Sequence, residues 1–306
     1  MKILVTGGAG FCGSHLVDRL LEAGYEVSVI DNLSSGKPEN LNPEATFHHL
    51  DIRSPEVLRV LTEEKPDYVA HLAAQISVQV SLRNPMQDAS TNVLGSINLL
   101  EACTKVGIKK LVYTSTGGAI YGEPTYLPCD EGHPVQPLCQ YGASKHAIEH
   151  YLYLYQKLHG LNYTVLRFPN IYGPRQDPFG EAGVVAIFTQ RMLAGRETII
   201  NGDGEQERDF LYVGDAADAS LLALEKGDGG TFNLGWGRGV SINQVFGLLS
   251  KMTEYSGDAA HGPAVPEVRK ICLDSSKARQ TLGWEPRVSL EEGLRNTVEY
   301  FRTSLR

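Results

Sequence analysis

The sequence predicts an α/β protein: a doubly wound parallel sheet with a smaller α/β lobe set around its far end. Three observations predict it. Short β-branched runs alternate with longer helical patterns through the first half of the chain, the arrangement of a parallel sheet covered on both faces. A glycine-rich turn, Thr6-Gly7-Gly8-Ala9-Gly10-Phe11-Cys12-Gly13, falls where the first run gives way to the first helix. After Phe168 the texture changes: Pro, Gly and Asn crowd residues 169–183, and later strands become short and separated by turns.

The elements follow in order. Residues 2–5, 26–30, 68–72, 110–115 and 163–168 read as strands, and a further strand is expected just before Asp51. Helices are expected near 10–23, 55–64, 86–106 and 141–159. Ser54-Pro55 is a start signal, since Ser can cap and Pro is tolerated in the first turn. Later, 214–224 reads as a helix and 231–234 as one more strand. Ser241-Ile-Asn-Gln244 and Ser289-Leu-Glu-Glu292 fit capping boxes that open two late helices. The expected division is a first domain over 1–168, with a contribution from about 212–236, and a second lobe over 169–211 and 237–306.

Composition narrows the function. With 36 acidic against 28 basic residues the formal charge is −8, so no basic field recruits nucleic acid, and an anionic ligand must be held by local donors. No stretch approaches the length of a membrane span, and the apolar run at residues 1–5 is too short for a signal peptide. Cys12, Cys103, Cys129, Cys139 and Cys272 make an odd set without a Cys-x-x-Cys pair, which suggests reduced thiols and a cytoplasmic setting. No metal site is expected. His48-His49 are neighbours on a strand, where adjacent side chains point to opposite faces.

Gly7, Gly10 and Gly13 form Gly-x-x-Gly-x-x-Gly in a strand–turn–helix context. Such a turn lets the backbone approach a pyrophosphate at the positive helix end, in a Rossmann-like arrangement. Asp31 lies after the second strand, 18 residues beyond Gly13, where a carboxylate accepts ribose hydroxyls and repels a 2′-phosphate. The cofactor expected is NAD rather than NADP, with Lys37 near enough to keep the phosphorylated form in view. Asp51-Ile52 is placed to meet the adenine; an Asp that merely flanks a helix is the alternative.

Tyr141-Gly-Ala-Ser-Lys145 puts a phenol and an ammonium one helical turn apart on one face. A free phenol has a pKa near ~10 and is a poor base at neutral pH, so an adjacent cation and a positive nicotinamide would favour its phenolate.

Several further motifs follow in order: Asp31-Asn32-Leu33, His71-Leu72-Ala73-Ala74-Gln75, Asn92, Ser115-Thr116-Gly117-Gly118-Ala119-Ile120-Tyr121-Gly122, Asn170-Ile-Tyr-Gly-Pro-Arg175 and Arg208-Asp-Phe210. Together with the glycine turn and Tyr141-Gly-Ala-Ser-Lys145, they resemble the extended short-chain dehydrogenase/reductase family, in its NAD-dependent epimerase/dehydratase branch. The likeness runs essentially the whole length and is similar to that of bacterial UDP-glucose (UDP-galactose) 4-epimerases. Glu181-Ala-Gly-Val-Val-Ala-Ile-Phe188 and Leu282-Gly-Trp-Glu-Pro286 extend it. The resemblance implies that Tyr141 takes the proton of a sugar 4-hydroxyl, that Lys145 lowers the Tyr141 pKa and holds the nicotinamide ribose, and that a 4-keto sugar turns over between two half-reactions. It implies that Phe11, Cys12, Asn32, Leu72, Ala73, Ala74 and Asn92 line the NAD site. It further implies that Asn170 and Arg208 hold the diphosphate of a UDP-sugar, that Glu267 contacts its ribose, and that two copies pair through helices 86–106 and 141–159 as a homodimer.

The chain departs from the family pattern in places. Related enzymes carry Ser or Thr five residues before the Gly of the Tyr-Gly pair, and that position is Gly117. Thr116 from a shifted backbone, Ser115 or water are the candidates to replace it. Dehydratases follow the Thr with an Asp-Glu pair, whereas Gly118 and Ala119 stand here, so dehydration lacks its acid and base. A phosphate-binding Arg expected three residues before Glu267 is Ala264; Arg269 either substitutes for it or forms a surface salt bridge. The leading reading is interconversion of UDP-glucose and UDP-galactose. The alternatives are 4-epimerisation of UDP-glucuronate or a UDP-N-acetylhexosamine, or a nucleotide-sugar reductase with net NAD(P)H turnover. Gln75, Ser77, Gln79 and Tyr172 are candidate sugar-pocket residues and do not separate these.

Overall fold

The early strands carry apolar residues at successive positions, and the computed structural model buries both faces of their sheet. It describes residues 1–179, 183–265 and 267–304; Glu181 and Ala182, which begin the motif running to Phe188, lie outside them. The cofactor domain runs β1 (Lys2–Thr6), α1 (Phe11–Glu22), β2 (Glu26–Asp31), β3 (Thr46–His49), α2 (Glu56–Glu64), β4 (Tyr68–His71), α3 (Val78–Arg83), α4 (Pro85–Ala89), a π-turn (Ser90–Leu94) and α5 (Gly95–Val106). It continues through β5 (Lys110–Thr116), α6 (Gly117–Ile120), α7 (Gln140–His159) and β6 (Tyr163–Phe168). Then come β7 (Asn170–Tyr172), α8 (Val184–Leu193), β8 (Thr198–Asn201), β9 (Glu207–Arg208), β10 (Phe210–Tyr212), α9 (Val213–Glu225) and β11 (Gly230–Asn233). The chain closes with β12 (Val240–Ser241), α10 (Ile242–Thr253), β13 (Ala259–Gly262), β14 (Lys270–Ile271), α11 (Ser276–Leu282) and α12 (Leu290–Ser304).

Among the described residues, a seven-stranded sheet forms in the order β11-β6-β5-β4-β1-β2-β3, all parallel. This is the doubly wound, Rossmann-like α/β fold, with its switch point between β1 and β4. Alternation sorts the side chains: Ile3 and Val5 of β1 join Leu16, Leu20, Ala219 and Phe232 on one face, while Leu4 joins Leu61, Leu99, Ile148 and Leu152 on the other. Ala278, Leu282 and Trp284 also enter the first of these cores, although they lie in the stretch 237–306 assigned to the second lobe. Trp284 is anchored there by an Nε1–H bond to the Asp215 carbonyl of 2.9 Å. The smaller lobe has its own core, where Val185, Phe188, Phe210, Val245, Leu249 and Leu294 meet.

Two expected details differ. The single helix over 86–106 is broken: Asn84 caps α4 by accepting from Gln87 N–H, and a π-turn over Ser90–Leu94 separates it from α5. The wide turn rotates Asn92 inward, where it is 2 % exposed, as π-bulges commonly do at functional sites. Tyr172 is buried in the lobe core between Phe210 and Tyr212 and does not line a sugar pocket. The capping box at Ser241 forms with both of its bonds, whereas at Ser289 the bond found is Glu292 N–H to the Ser289 hydroxyl, 3.3 Å. His48 and His49 do point apart, to the Glu64 carboxylate and the Asn32 carbonyl. Among the described residues, no helix is long and apolar enough to cross a membrane.

Candidate active site

The loop between β1 and α1 is shaped by what it cannot hold. At Gly13 a Cβ would stand 2.0 Å from the Gly7 carbonyl oxygen, and at Gly7, whose φ is +76°, it would stand 2.7 Å from the Ala73 nitrogen. The loop is therefore folded tightly on itself and on the segment after β4. Gly10 occupies the N-cap of α1 without a side chain to satisfy the first N–H groups of the helix, which leaves them to an anion. Phe11 and Cys12 begin that helix, and burial pushes the Cys12 thiol up to about 12, so it is a neutral neighbour of the site.

The remaining cofactor-side residues converge on this loop. Asp31, at the end of β2, accepts the Ala9 N–H at 3.0 Å and the Leu33 N–H at 2.8 Å. Asn32 donates to Asp51 at 2.8 Å, and Arg53 grips the same carboxylate, holding it well below the usual range with help from its own backbone N–H. The Asp51 carboxylate is thus held in place by Asn32 and Arg53, while Ile52 is buried against Gly95. Leu72, Ala73 and Ala74 follow β4; the Ala73 N–H bonds the Thr6 hydroxyl at 3.2 Å, which in turn meets His71 at 2.7 Å. Asn92 pins the next segment, accepting from Gln75 N–H at 2.8 Å and donating to Gln75 O at 2.9 Å. A dinucleotide fits this cradle: an uncapped helix end, glycines with no room for a side chain, and a carboxylate at the tip of β2.

The candidate catalytic pair, Tyr141 and Lys145, sits on α7. Gly142 lets that helix press on the turn before it, since a Cβ there would be 2.3 Å from the Ala119 carbonyl oxygen. This close approach brings Tyr141 beside Thr116, near enough for the Thr116 hydroxyl to favour the Tyr141 phenolate. Ser115 is spoken for, donating to Glu149 at 2.6 Å. Gly117 could not supply the hydroxyl, because any side chain there would collide with Leu273, whose Cδ1 would be 2.4 Å away. Of the two side chains proposed, Thr116 is the one beside Tyr141. Replacing it with Val should lower kcat about tenfold, the value of one hydroxyl hydrogen bond at the reacting oxygens, while leaving the fold intact. Steady-state kinetics of Thr116→Val and Thr116→Ser would check this, with Ser restoring the rate.

Burial pushes the Tyr141 phenol well above its usual range, and the neighbouring Thr116 hydroxyl opposes the rise. Lys145, one turn on, is buried with its Nζ 4.4 Å from the centre of the Tyr113 ring. Burial drives its ammonium down to about 7, against the pull of Glu149 and Asp88. Both shifts favour neutral forms, so the Tyr141 proton leaves readily only beside added positive charge.

Beneath the pair lies a network that sequence reading missed. Glu149 accepts from Arg167 Nε at 3.0 Å and from Ser115, with His146 on its other oxygen at 3.1 Å. Burial raises its carboxyl, but these hydrogen bonds more than reverse the rise and bring it to about 2. A value below the usual 4.5 means that ionised Glu149 stabilises the fold above about pH 4.5, and that this contribution is lost as pH falls toward 2. Urea midpoints should therefore fall more steeply between pH 5 and 3 in the wild type than in Glu149→Gln; parallel slopes would contradict the assignment.

On the lobe side, a methyl group at Gly118 would lie 3.7 Å from Asn170 Oδ1 and 3.9 Å from Thr116 Oγ1, so these three positions share one small space. Arg208 is paired with Glu267 and also donates to the Glu207 carbonyl at 2.9 Å. Arg269 forms a two-pronged surface bridge with Asp203, 2.8 Å on each arm, and does not stand in for the arginine expected at Ala264. Asp209, between Arg208 and Phe210, carries no role in the sequence reading. Its buried carboxylate accepts from the backbone N–H groups of Trp236, Gly237 and Leu273, tying three loops behind Asn170.

This geometry has close counterparts. The profile of the NAD dependent epimerase/dehydratase family matches residues 3–235. The chain belongs to this family. It is similar to the crystal structure of a UDP-glucose 4-epimerase with UDP-glucose from Thermotoga maritima, at 55% identity and a TM-score of 0.99 over 100% of both chains. It is similar to the Thermus thermophilus UDP-glucose 4-epimerase in complex with NAD, at 45% identity and a TM-score of 0.95 over 99% of both. The Mycolicibacterium smegmatis UDP-glucose 4-epimerase is 44% identical over 99% of each chain.

Proposed function

We propose that this chain is an NAD-dependent 4-epimerase that interconverts UDP-glucose and UDP-galactose through a transient 4-keto sugar. The observation that carries the reading is the Tyr141–Thr116 hydroxyl pair beside the space shared by Gly118 and Asn170. There is a base with a hydroxyl partner, and no carboxylate beside it at 118 or 119 to eliminate water. Full-length likeness to UDP-glucose 4-epimerases supports the choice of sugar nucleotide.

In this reading Tyr141 Oη removes the proton of the sugar 4-hydroxyl while Thr116 holds that oxygen in line. Lys145, in its charged form, favours the phenolate and reaches the nicotinamide ribose. NAD, held by the Gly7–Gly13 loop and Asp31, supplies reversible oxidation at carbon 4. After the keto sugar turns over, Tyr141 returns the proton to the new 4-oxygen. Asn170 and Arg208 hold the diphosphate: the guanidinium has five N–H donors and gives up few to Glu267 and Glu207, which leaves others for phosphate. Glu267 takes the uridine ribose.

Two copies pair in this reading. Leu154 and Leu158 of α7 are 46% and 71% exposed, and Leu94 before α5 is 62% exposed, so apolar surface on both helices is left for a second copy of the chain. Five free thiols, among them the buried Cys103, Cys129 and Cys272, suit the reducing cytoplasm.

The test is to incubate the purified protein separately with UDP-glucose, UDP-galactose, UDP-glucuronate and UDP-N-acetylglucosamine, and to chromatograph the products. Formation of the galactose epimer from UDP-glucose, without accumulation of reduced cofactor, is expected. Conversion of another sugar nucleotide in its place would move the substrate assignment, and steady release of NADH would replace the epimerase with a net oxidoreductase.

A further inference from the structure

Asp88 is a carboxylate 1 % exposed whose hydrogen-bond partners are the neutral side chains of Gln75, Asn92 and Ser144. It lies in α4, a short helix with no part in the mechanism above. Burying such a charge is costly unless hydrogen bonds compensate, and here they do. Oδ1 accepts from Gln75 Nε2 at 2.9 Å and from Asn92 Nδ2 at 3.0 Å, and Oδ2 accepts from the Ser144 hydroxyl. The partners are themselves closed. Gln75 spends its second N–H on the Ser77 carbonyl and Asn92 spends its own on the Gln75 carbonyl.

The placement of these partners gives the network its meaning. Ser144 is the residue before Lys145, inside the Tyr141–Lys145 turn. Gln75 and Asn92 belong to the segments that line the cofactor side. We propose that Asp88 is a positioning residue for the catalytic pair: its buried carboxylate ties the Tyr141–Lys145 turn of α7 to the Gln75 segment and places a negative charge beside Lys145. This rests on the 4-epimerase reading of the site.

The charge acts on both members of the pair. Around Lys145 stand Glu149 and Tyr141 on α7, Asp88 on α4, the Tyr113 ring on β5 and His71 on β4. His71 is pushed down to about 3 by burial and by Lys145, so it is neutral and adds no charge. The two carboxylates are what oppose the desolvation of Lys145. Around Tyr141 stand Cys12, Cys139, Asp88 and Thr116, and Asp88 there disfavours the phenolate. Removing the Asp88 charge must therefore move both titrations the same way, to lower pH.

Asparagine separates charge from shape. Asp88→Asn can keep its Oδ1 on Gln75 and Asn92 and turn its amide toward the Ser144 oxygen, whose proton then goes to the Gln140 carbonyl, already 2.8 Å away. Ser144→Ala does the reverse, cutting the tether while leaving the charge. The experiment measures kcat and KM for UDP-glucose against pH in the wild type and both variants. In parallel, the Lys145 Cε signal is titrated by NMR in protein carrying isotopically labelled lysine and assigned by its loss in Lys145→Arg.

For Asp88→Asn, the kcat profile and the Lys145 titration should both move about 0.5–1 pH unit lower, with the height of the profile kept. For Ser144→Ala, kcat should fall about tenfold at an unchanged optimum, with KM within about twofold. A wild-type-like profile and Lys145 titration in Asp88→Asn would overturn the charge, and a Ser144→Ala change confined to the melting temperature would overturn the tether. If Asp88→Asn does not fold, the Ser144→Ala kinetics decide. A wild type inactive on every UDP-sugar would sink the functional reading instead, and the Lys145 titration would still decide this one.

Discussion

Tyr141→Phe should lose about 10²–10⁴-fold in kcat while keeping its fold and its bound cofactor. The substitution deletes one oxygen and leaves the ring and the rest of α7 in place. The hydroxyl beside Thr116 is lost, and with it the group proposed as proton acceptor of the first half-reaction and donor of the second. The loss should fall on kcat more than on KM, because the groups proposed to hold the nucleotide, Asn170, Arg208 and Glu267, are untouched by the substitution. The content of bound NAD and the thermal midpoint should match the wild type. A variant that keeps more than about a tenth of the activity would remove Tyr141 from its role as the base.

The second large effect lies where no chemistry happens. Gly13→Ala would drive a methyl group against the Gly7 carbonyl oxygen at 2.0 Å, with the Gly7 carbon at 2.8 Å and the Gly8 Cα at 2.9 Å. All three are backbone atoms, so relief requires α1 to move off the loop that would hold the pyrophosphate. Overpacking of this kind costs about 1–3 kcal/mol or more, and the displaced helix end would release the cofactor. Gly247→Ala is the control: nothing stands within 4 Å of that position on α10, and Ala there should stabilise by about 0.5–1 kcal/mol. Urea midpoints and the NAD content of the purified variants check both; equal midpoints, with NAD retained by Gly13→Ala, would contradict the close-packed loop.

The fold was legible because the signals were local and repeated. Each parallel strand is a short apolar run, each helix has its period, and the glycine turn marks the start of α1. What the sequence could not show was how the chain spends its polar groups. Residues 86–106 have an unbroken helical pattern, and nothing in it announces the π-turn that rotates Asn92 inward. Ser144 carries no role of its own in Tyr-x-x-x-Lys, and no motif includes Asp88. Their pairing spans 56 residues and exists only once α4 packs on α7.

The departures resolve in the same way. Gly117 looked like a missing hydroxyl, yet its place is filled by Leu273, a residue from a distant loop that no spacing argument could bring there. Arg269 was open between a phosphate donor and a surface salt bridge, and Asp203 beside it gives the salt bridge. Tyr172 sits in the motif Asn170-Ile-Tyr-Gly-Pro-Arg175 close to a candidate ligand residue. Burial deepens along β7, however, from an exposed Asn170 at its start to Tyr172 inside the lobe core, and a three-residue strand has no period that could reveal it.

The central claim is that one site removes and restores hydrogen at carbon 4 of a UDP-sugar, with Tyr141 handling the proton alone. Supplying UDP-glucose tritiated at carbon 4 and isolating the UDP-galactose formed tests it most directly. The account predicts that the product carries its tritium at carbon 4, with none released to water. Tritium appearing in solvent, or a galactose product without label, would contradict it.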